Sequence, residues 1–497
     1  MKIILINNDY KYAAEQMLLT LFPNEKPEFS DSPGGDRAVI SLHEGSVYNT
    51  AVCRLTAGGK TYTAKCSVRR DRLADDLERE RQHQRIVKLA FYRAATQELV
   101  KEPVWGALTG IRPGKLMSNL IEAGMSDRAA LTRFCESYRA SRERAELCLD
   151  TAHASLDAAH MLERRDICLY VGIPFCPTRC AYCSFVSQSV ARSMKLIEPF
   201  LDALCREVDA TAGAVTRLGL RVVSVYFGGG TPTTLSAPQL DRLITRMESA
   251  FDLSHCREFT VEAGRPDTIT AEKLEVLRRH GVTRVSVNPQ TMSDEVLEVI
   301  GRRHTAQDVE NALALVRQAG AFEVNMDLIA GLPADTPEGF RKTLDRVMAL
   351  APENITVHTL SLKKGSRIML EGTAIPSAQD VGEMLDYAMS RLRGADYAPY
   401  YLYRQKYMSG GFENVGWAKK GTENLYNICI MEELCSIISM GGGASTKLCT
   451  GTGRIERVFA PKYPQEYIER IEKVCADKQK IVDFYSALGS CAQKEEA

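Results

Sequence analysis

The stretch that decides the fold reads Tyr170-Val-Gly-Ile-Pro-Phe-Cys176-Pro-Thr-Arg-Cys180-Ala-Tyr-Cys183-Ser-Phe185, where a short apolar strand leads directly into three cysteines. A Cys-x3-Cys-x2-Cys loop can place three thiolates round one face of a cubane iron–sulfur cluster. No fourth cysteine follows locally, so one iron of such a cluster would stay open for another ligand. The spacing of Cys176, Cys180 and Cys183 therefore predicts a metal centre at the end of a strand.

The alternative for this loop is zinc, whose structural sites take four ligands. Cys168, Cys205 or a distant histidine would then have to supply the fourth ligand. Chance clustering is the other explanation, and three thiols within eight residues argue against it. The remaining twelve of the fifteen cysteines are scattered, and most are expected to be small buried hydrophobes in a reduced cytosolic protein: Cys53, Cys66, Cys135, Cys148, Cys168, Cys205, Cys256, Cys429, Cys435, Cys449, Cys475 and Cys491.

The composition is that of a globular protein with more than one domain. The chain has 497 residues, which at about 150 residues per domain predicts about three domains. Its 63 Lys and Arg residues balance 63 Asp and Glu residues, so no net field draws it to nucleic acid or anionic lipid. No apolar run approaches the ~18 residues of a membrane-spanning helix, and the N-terminus becomes polar too early for a secretory signal. We therefore expect a cytoplasmic protein with no nucleic-acid partner and no membrane span.

Short apolar strands alternate with longer helices after residue 166. Six strands are predicted at 167–173, 222–227, 258–262, 283–288, 324–329 and 355–360, with helices at 196–217, 237–251, 271–280, 306–319 and 337–349. Six such units imply a parallel sheet with right-handed crossovers, curled into a partial barrel. The predicted fold class is therefore α/β, with three regions: an N-terminal α+β extension of unassigned role (1–160), a six-unit parallel (β/α) partial barrel (161–398) and a mostly helical C-terminal region that covers the substrate (399–497).

Glycine-rich and polar segments follow the predicted strands, at the edge where α/β barrels carry their chemistry. The second strand ends in Gly228-Gly-Gly-Thr231-Pro, whose glycines let the backbone approach a ligand closely, although a tight turn is the alternative. Single polar residues follow later strands, and each could instead be a helix cap or a surface ion pair: Glu262, Gln290, Arg302 and Asp327. Their common position at successive strand ends favours one shared site.

The cysteine loop resembles that of the radical S-adenosylmethionine (SAM) superfamily, whose Cys-x3-Cys-x-aromatic-Cys loop holds a [4Fe-4S] cluster. In that superfamily the amine and carboxylate of SAM chelate the open iron. The resemblance implies that Cys176, Cys180 and Cys183 ligate the cluster and that Tyr182 is the usual aromatic before the third cysteine. It also implies that the counterpart of the superfamily's Gly-Gly-Thr-Pro element holds the SAM amino group with Gly229, Gly230 and Thr231.

The order and spacing of the later polar residues resemble the oxygen-independent coproporphyrinogen III oxidase (coproporphyrinogen dehydrogenase) family. The stretch Pro399-Tyr-Tyr-Leu-Tyr403-Arg404-Gln405-Lys406 and the segments 413–416, 426–427 and 441–445 are particularly similar to its HemZ-type subgroup. In the family, the matching residues bind the ribose, carboxylate and adenine of SAM; here they are Glu262, Gln290, Arg302 and Asp327. Tyr170 matches the aromatic residue two positions before the family's histidine.

This resemblance implies a radical oxidoreductase of porphyrin biosynthesis. A reduced cluster cleaves SAM to methionine and a 5′-deoxyadenosyl radical, which removes a hydrogen β to a propionate carboxylate of coproporphyrinogen III. Loss of one electron and carbon dioxide leaves a vinyl group, and two rounds give protoporphyrinogen IX. The implied partners are a tetrapyrrole substrate, a one-electron reductant and a one-electron acceptor.

Few residues can be assigned to the substrate. The candidate catalytic residues are Tyr170 and Arg404. The candidate partners of substrate carboxylates are Arg404, Lys406 and Arg265. A guanidinium can bind a carboxylate through two parallel hydrogen bonds. His358, at the sixth strand end, either faces the substrate or is buried in the barrel core.

Two departures from the family's pattern leave other roles open. Gly172 stands where the family has its histidine, and Phe185 stands where the best-studied branch has a fourth cysteine. A haem chaperone relative shares a Phe after the three-cysteine loop, and other relatives act on haem itself as ring-opening methyl-transfer enzymes. The non-enzymatic alternative is a structural zinc-binding interaction module.

Overall fold

The computed structural model describes residues 1–497 except 24, 31–33, 99–101, 184–187, 190–192, 321, 363–365, 406–407, 450–454 and 496–497. The chain forms two compact units: Met1–Leu149 with Gly410–Phe412, and Asp150–Ser409 with Glu413–Ala497. The limits and roles of the three regions proposed from the sequence stay predictions.

A five-stranded mixed sheet forms the first unit. Its strands are β1 (Lys2–Ile6), β2 (Glu28–Phe29), β3 (Arg37–Glu44), β4 (Tyr48–Ala57) and β5 (Lys60–Arg69), in the order β2-β1-β3-β4-β5. Its helices are α1 (Lys11–Leu21), α2 (Asp76–Ala95), α3 (Pro113–Glu122) and α4 (Asp127–Tyr138), and the division between the units falls within α5 (Arg142–Met161). Helix α2 begins at Asp76 because the carboxylate of Asp75 accepts a hydrogen bond from the Glu78 N–H at 2.7 Å.

The six strands predicted for the barrel are all present in the second unit. They are β6 (Asp166–Ile173), β9 (Arg221–Gly229), β10 (Glu258–Glu262), β11 (Arg284–Ser286), β12 (Glu323–Ala330) and β13 (Asn354–Thr359), while β7 (Phe175–Cys176) and β8 (Gln188–Ser189) pair separately. Each of the six pairs in parallel with its neighbour, so their carboxyl ends meet at one edge. The predicted parallel α/β sheet is confirmed.

The five helices predicted from the apolar spacing are present, and three further helices, at Asp294–Val299, Arg367–Glu371 and Ala378–Arg393, were not predicted. Together they are α6 (Ile197–Leu218), α7 (Ala237–Ala250), α8 (Ala271–Arg279), α9 (Asp294–Val299), α10 (Ala306–Ala319), α11 (Pro337–Ala349), α12 (Arg367–Glu371) and α13 (Ala378–Arg393). Ser236 and Thr305 begin α7 and α10 with reciprocal capping boxes, which satisfy backbone donors at the first turn. In the part of the chain that the structure describes, no helix is both long enough and apolar enough to span a membrane.

The C-terminal region adds strands to both edges of the same sheet. Its elements are β14 (Tyr397–Tyr403), β15 (Asn414–Lys419), α14 (Leu425–Glu432), β16 (Ser436–Gly441), β17 (Ser445–Cys449), β18 (Ile455–Phe459), α15 (Pro464–Glu469), α16 (Ile471–Ala476) and α17 (Gln479–Glu495). The sheet order is β14-β15-β13-β12-β11-β10-β9-β6-β16-β17-β18. Strand β16 is parallel to β6 and adds a seventh parallel strand that the sequence did not predict.

A buried carboxylate fixes the end of β16. Glu207 on α6 accepts a hydrogen bond from the Gly441 N–H at 2.8 Å and forms an ion pair with Lys478 at 2.7 Å. The Tyr467 hydroxyl also donates to Glu207. Because a buried charge is costly unless it is paired, these contacts make the position of Gly441 a condition of the fold.

Gly441→Ala is expected to lower the melting temperature of the protein more than Gly421→Ala. Both glycines have a positive φ, +96° and +83°, so a Cβ at either position costs about 1–2 kcal/mol. At Gly441 the Cβ would also overlap the Gly172 carbonyl, whereas nothing lies within 4 Å of a Cβ at Gly421, and overpacking adds about 1–3 kcal/mol. Thermal unfolding followed by circular dichroism tests this, and equal losses in the two variants would contradict it.

Candidate functional site

The carboxyl ends of the parallel strands surround a cavity of about 360 Å³. Twelve of the thirteen predicted site residues line it: Tyr170, Cys176, Cys180, Tyr182, Cys183, Gly229, Gly230, Thr231, Glu262, Gln290, Arg302 and Asp327. The parallel sheet brings them together from positions more than 150 residues apart in the sequence. Arg404 is buried and is not among the residues that line the cavity, although its neighbours Tyr403 and Gln405 are. Lys406 and Phe185 lie outside the described residues.

The glycine segment after β9 packs directly on the backbone of the cysteine loop. The N–H of Gly230 donates to the Ile173 carbonyl at 2.8 Å, and the N–H of Thr231 donates to the Phe175 carbonyl at 2.7 Å. A Cβ at Gly230 would overlap the Phe175 carbonyl, so only glycine fits this contact. The Thr231 hydroxyl in turn donates to Cys176 Sγ at 3.6 Å, which joins the two predicted cofactor elements.

The spread of the three loop thiols distinguishes a cluster from a single ion. A tetrahedral zinc ion, with Zn–S bonds of about 2.3 Å, holds its sulfurs roughly 3.8 Å apart. Among the described residues, Cys176, Cys180 and Cys183 do not form a group whose ligand atoms all lie within 4.8 Å of one another. A cubane binds each thiolate at a different iron and needs the wider spacing, so this donor set fits a cluster.

Neither of the cysteines considered as a fourth zinc ligand lies at the loop. Cys168 is grouped with Cys429 and Cys435, and all three are buried. Cys205 lies on α6, where Arg242 and Arg246 are its charged neighbours. Cys168 and Cys205 therefore do not supply a fourth ligand for a zinc ion at the cysteine loop.

Arg302 joins the loop after α9 to the cysteine loop. Its guanidinium donates to the Tyr182 hydroxyl at 3.3 Å and to the Asn288 carbonyl at 2.5 Å, and the Ala181 N–H donates to the Ile300 carbonyl at 2.9 Å. Its buried Nε has no hydrogen-bond partner, so a donor is left for a ligand in the cavity. Burial opposes its charge, but Tyr182 and Cys180 outweigh burial and raise the pKa of Arg302 above its ordinary value.

Arg265 lines the cavity and is also held by contacts within the protein. Its guanidinium makes two 3.0 Å hydrogen bonds to the carboxylate of Asp267. It also donates to the Thr178 hydroxyl at 3.0 Å and lies 3.9 Å from Cys180 Sγ. These contacts place a paired guanidinium beside the cysteine loop, where it orders residues 178–180.

Glu262, the last residue of β10, lines the same cavity and receives a hydrogen bond from the Tyr226 hydroxyl at 2.6 Å. Burial, with the nearby charge of Asp327, raises the pKa of Glu262 to about 7, against the hydrogen bonds from Tyr226 and the Gly229 N–H. The carboxyl group is thus close to half protonated at neutral pH and is well suited to exchange hydrogen bonds with a ligand hydroxyl.

Asp327 stays ionised although it is buried. Burial raises its pKa, but His358, 3.7 Å away, and the Asn325 amide at 2.8 Å outweigh burial, so the pKa of Asp327 is below its ordinary value. The Asn288 amide donates to its other oxygen at 2.8 Å. His358 therefore faces both the cavity and this carboxylate, consistent with the first of the two positions considered for it.

Gln290 has a positive φ of +66°, which is uncommon for a residue with a side chain. Its N–H donates to the Asp327 carbonyl at 2.9 Å and its carbonyl accepts from the Ile329 N–H at 3.0 Å. These bonds hold the left-handed conformation and direct the residue to the cavity that it lines. Backbone strain of this kind is concentrated at functional sites.

Tyr170 belongs to a layer of stacked tyrosines under the cavity. Its ring lies 6.2 Å from that of Tyr226 and 6.1 Å from that of Tyr426, and the latter two rings are 4.3 Å apart. Burial and the nearby Glu262 raise the pKa of Tyr170, so its hydroxyl stays protonated. The layer closes the apolar end of the cavity.

Gly172, which stands where the family has a histidine, is closely surrounded by backbone and by an aromatic ring. A Cβ at Gly172 would lie 3.2 Å from the Gly442 carbonyl oxygen and 3.3 Å from the Tyr170 ring. Both distances are tighter than ordinary van der Waals contact, so an imidazole at this position would require the neighbouring strand to move. The glycine is therefore a condition of how β16 packs on β6.

Several cavity residues were not predicted from the sequence. Asn288, Thr178 and Asn414 line the cavity, and Asn288 contacts both Asp327 and Arg302. The position of Asn288, two residues before Gln290 at the same strand end, is the signal that could have identified it. Thr178 and Asn414 carry no comparable signal, because their positions depend on loop conformation and on β15.

Residues 170–347 match the model of the Radical SAM superfamily. The solved structure of coproporphyrinogen III oxidase (HemN) from Escherichia coli superposes with a TM-score of 0.51 at 24% identity, covering 65% of this chain and 72% of that one. The parallel sheet and the cysteine-lined cavity at its carboxyl edge thus define a radical SAM protein, with the fold expected from the sequence.

Similarity to curated proteins extends beyond this domain. The oxygen-independent coproporphyrinogen-III oxidase-like protein HemZ from Bacillus subtilis is 40% identical over 385 residues, 76% of this chain and 77% of that protein. The heme chaperone HemW from the same organism is 31% identical over 52% of this chain and 65% of its own length. The chain belongs to the family of HemZ-type, oxygen-independent coproporphyrinogen III oxidase-like radical SAM proteins. Its cofactors are a [4Fe-4S] cluster and SAM, as predicted.

Replacing Cys176, Cys180 or Cys183 with Ala is expected to reduce the iron and sulfide content from about four per chain to near zero, because each thiolate holds a different iron. Cys135→Ala, at a partly buried cysteine on α4, is the matched control and should keep the full content. Iron and sulfide assays with visible absorption after anaerobic reconstitution measure both. A full complement in any loop variant would refute the assignment of that cysteine.

The stability of the cofactor-free protein is expected to depend on Glu262. Its pKa of about 7 lies above the ordinary value of 4.5, so the folded state holds the proton more tightly than the unfolded state. The stabilisation is therefore complete below pH 4.5 and is lost as the pH rises through 7, by about 3 kcal/mol. Relative to Glu262→Gln, the wild-type protein should lose stability between pH 5 and 8 in urea unfolding. Glu295→Gln, at an exposed carboxylate, is the control, and an unchanged difference between wild type and Glu262→Gln would contradict the prediction.

Proposed function

We propose that this protein is a radical SAM oxidoreductase that converts the propionate side chains of coproporphyrinogen III to vinyl groups without oxygen, giving protoporphyrinogen IX. The observation that carries the proposal is the meeting, in one cavity, of the cysteine loop, the glycine segment and the four strand-end residues. Its 40% identity to a coproporphyrinogen-III oxidase-like protein over most of both chains supports the choice of substrate class.

The cavity brings together charged groups of both signs, which suits SAM because SAM carries a carboxylate, an amino group and a ribose. Arg302 offers a buried Nε–H without a hydrogen-bond partner, which suits the carboxylate. Glu262 and Asp327 offer carboxylate oxygens, which suit ribose hydroxyls or an amino group. We assign Gly229, Gly230 and Thr231 to the methionyl end, because their backbone lies against the cysteine loop.

The proposed chemistry is that of the cofactors, and the chain positions them. With the cluster bound at Cys176, Cys180 and Cys183, its electron would cleave SAM and supply the 5′-deoxyadenosyl radical. In each round the substrate loses one hydrogen atom to that radical, one electron to an acceptor and one carbon dioxide. The chain's own contribution is to hold SAM with the charged residues that line the cavity, which include Arg302, Glu262 and Asp327.

The substrate would enter past the residues that β14 and β15 add to the cavity. Tyr403, Gln405 and Asn414 line it from this side. We keep Arg404 as a candidate partner for a propionate, reached by a side-chain rearrangement, because it lies between two lining residues. Tyr170 is proposed as the aromatic that contacts the reacting region.

The proposal predicts two rounds of decarboxylation per substrate. The reconstituted protein is to be incubated anaerobically with coproporphyrinogen III, SAM and a low-potential reductant. Each propionate converted to a vinyl group loses carbon dioxide and two hydrogens, so the products should be about 46 and about 92 mass units lighter than the substrate. About one 5′-deoxyadenosine should form per vinyl group. Binding of haem without consumption of SAM would instead favour a chaperone role, as in the HemW relatives, and would refute the proposal.

Asp327→Ala tests whether the carboxylate of Asp327 binds SAM in the same preparation. It should keep its iron and weaken SAM binding by one to two decades, because a charged hydrogen bond is worth about 1.5–3 kcal/mol. Asp345→Ala, at a half-exposed carboxylate on α11, is the control for loss of an aspartate. Isothermal titration with unchanged affinity in Asp327→Ala would remove this assignment.

A further inference from the structure

A second group of three cysteines lies in the hydrophobic cluster that contains Tyr170 and Tyr426. Cys168 on β6, Cys429 on α14 and Cys435 before β16 place their sulfurs within 4.8 Å of one another, and Cys168 and Cys435 are 3.7 Å apart. These residues are separated by up to 267 positions in the sequence, so the fold alone brings them together. None of them belongs to the loop that is assigned to the iron–sulfur cluster.

The spacing is that of ligands to a single ion. Sulfurs about 3.8 Å apart surround a tetrahedral ion with metal–sulfur bonds of about 2.3 Å, and a trigonal ion of the same bond length needs about 4.0 Å. The 3.7 Å separation of the Cys168 and Cys435 sulfurs matches this geometry, and the Cys429 sulfur lies within 4.8 Å of both.

The surroundings of the group are apolar and dry. Cys168 and Cys429 are fully buried and Cys435 is 7% exposed. They share one hydrophobic cluster with Ala158, Val223, Tyr400, Ile428 and Ile437. In such surroundings three uncompensated thiolates would be costly, so a cation that replaces three protons is what would make the thiolate form stable.

We propose that Cys168, Cys429 and Cys435 form a buried thiolate site for one thiophilic cation with a filled d shell, Zn²⁺ or Cu⁺. Binding replaces three S–H protons with three metal–sulfur bonds and releases three protons, with no change of oxidation state. Zn²⁺ leaves a net charge of −1 and Cu⁺ a net charge of −2, so burial favours Zn²⁺. The number of donors favours Cu⁺, because no other His, Cys, Asp or Glu of the described chain joins the group.

The site would fasten three elements under the tyrosine layer. Cys168 and Tyr170 lie on the same face of β6, two residues apart. Tyr426, which stacks on Tyr170 and Tyr226, lies one turn before Cys429 on α14. An ion held by the group would thus join β6, α14 and the start of β16 close to Tyr170 and Tyr426.

Metal loading of full-length protein tests the proposal independently of the radical chemistry. A Cys176→Ala, Cys180→Ala, Cys183→Ala background removes the loop thiols, so any remaining ion is not bound there. The protein is loaded anaerobically with one equivalent of Zn²⁺ or Cu⁺, and weakly bound metal is removed with a chelator. We expect at least one of the two ions to remain bound at one ion per chain. X-ray absorption should show three sulfur neighbours at about 2.3 Å.

Adding Cys429→Ala to this background should weaken binding at least tenfold, whereas Cys53→Ala, at a buried cysteine outside the group, should leave it unchanged. Cys168→Ala and Cys435→Ala, made separately, should have the effect of Cys429→Ala, and circular dichroism selects the variants that fold. In the chain with an intact loop, Cys429→Ala should keep its iron. Absence of a bound ion, retention of the ion in folded variants of the group, or a Cys168–Cys435 disulfide in place of metal would overturn the proposal.

Discussion

The backbone contact between the glycine segment and the cysteine loop is the constraint on which the candidate site depends. Two hydrogen bonds, from Gly230 to Ile173 and from Thr231 to Phe175, hold the segments together. They form only because position 230 has no Cβ, since any side chain there would overlap the Phe175 carbonyl. The element assigned to SAM and the loop assigned to the cluster are therefore joined through their backbones.

Around that unit, buried charges of both signs line one cavity. Arg302 and Arg265 lie beside the cysteine loop, where their charge complements thiolates, and each is held by hydrogen bonds to its neighbours. Glu262 is the last residue of β10 and Asp327 lies within β12, and their environments shift their pKa values in opposite directions. The difference arises because His358 and two asparagines compensate the charge of Asp327, whereas Glu262 has a tyrosine and one backbone N–H.

The sequence was sufficient for the part of the site that parallel strands organise. Once β6 and β9 to β13 are recognised by their apolar runs, the rule that their carboxyl ends meet at one edge places Glu262, Gln290 and Asp327 together. It was insufficient where position depends on distant contacts. Strand β16 is a short apolar run whose place beside β6 depends on the buried carboxylate of Glu207. The sequence also did not show that Arg265 pairs with Asp267, because that ion pair depends on the conformation of the turn.

The same distant contacts explain why this chain departs from the pattern of its family. In the family the residue two positions after the first aromatic is histidine, but here that position touches β16 and the segment that follows it. Gly441 has a positive φ and lies so close to Gly172 that a Cβ on Gly441 would overlap the Gly172 carbonyl, while the Gly442 carbonyl oxygen would lie 3.2 Å from a Cβ at Gly172. A side chain at position 172 would therefore need its neighbours to shift, and replacing Gly172 alone with histidine would disturb this packing contact. The absence of the imidazole is therefore a property of the whole junction of β6 and β16, and any role it has in relatives must here be met by other groups, of which Tyr170 is the nearest in sequence that lines the cavity.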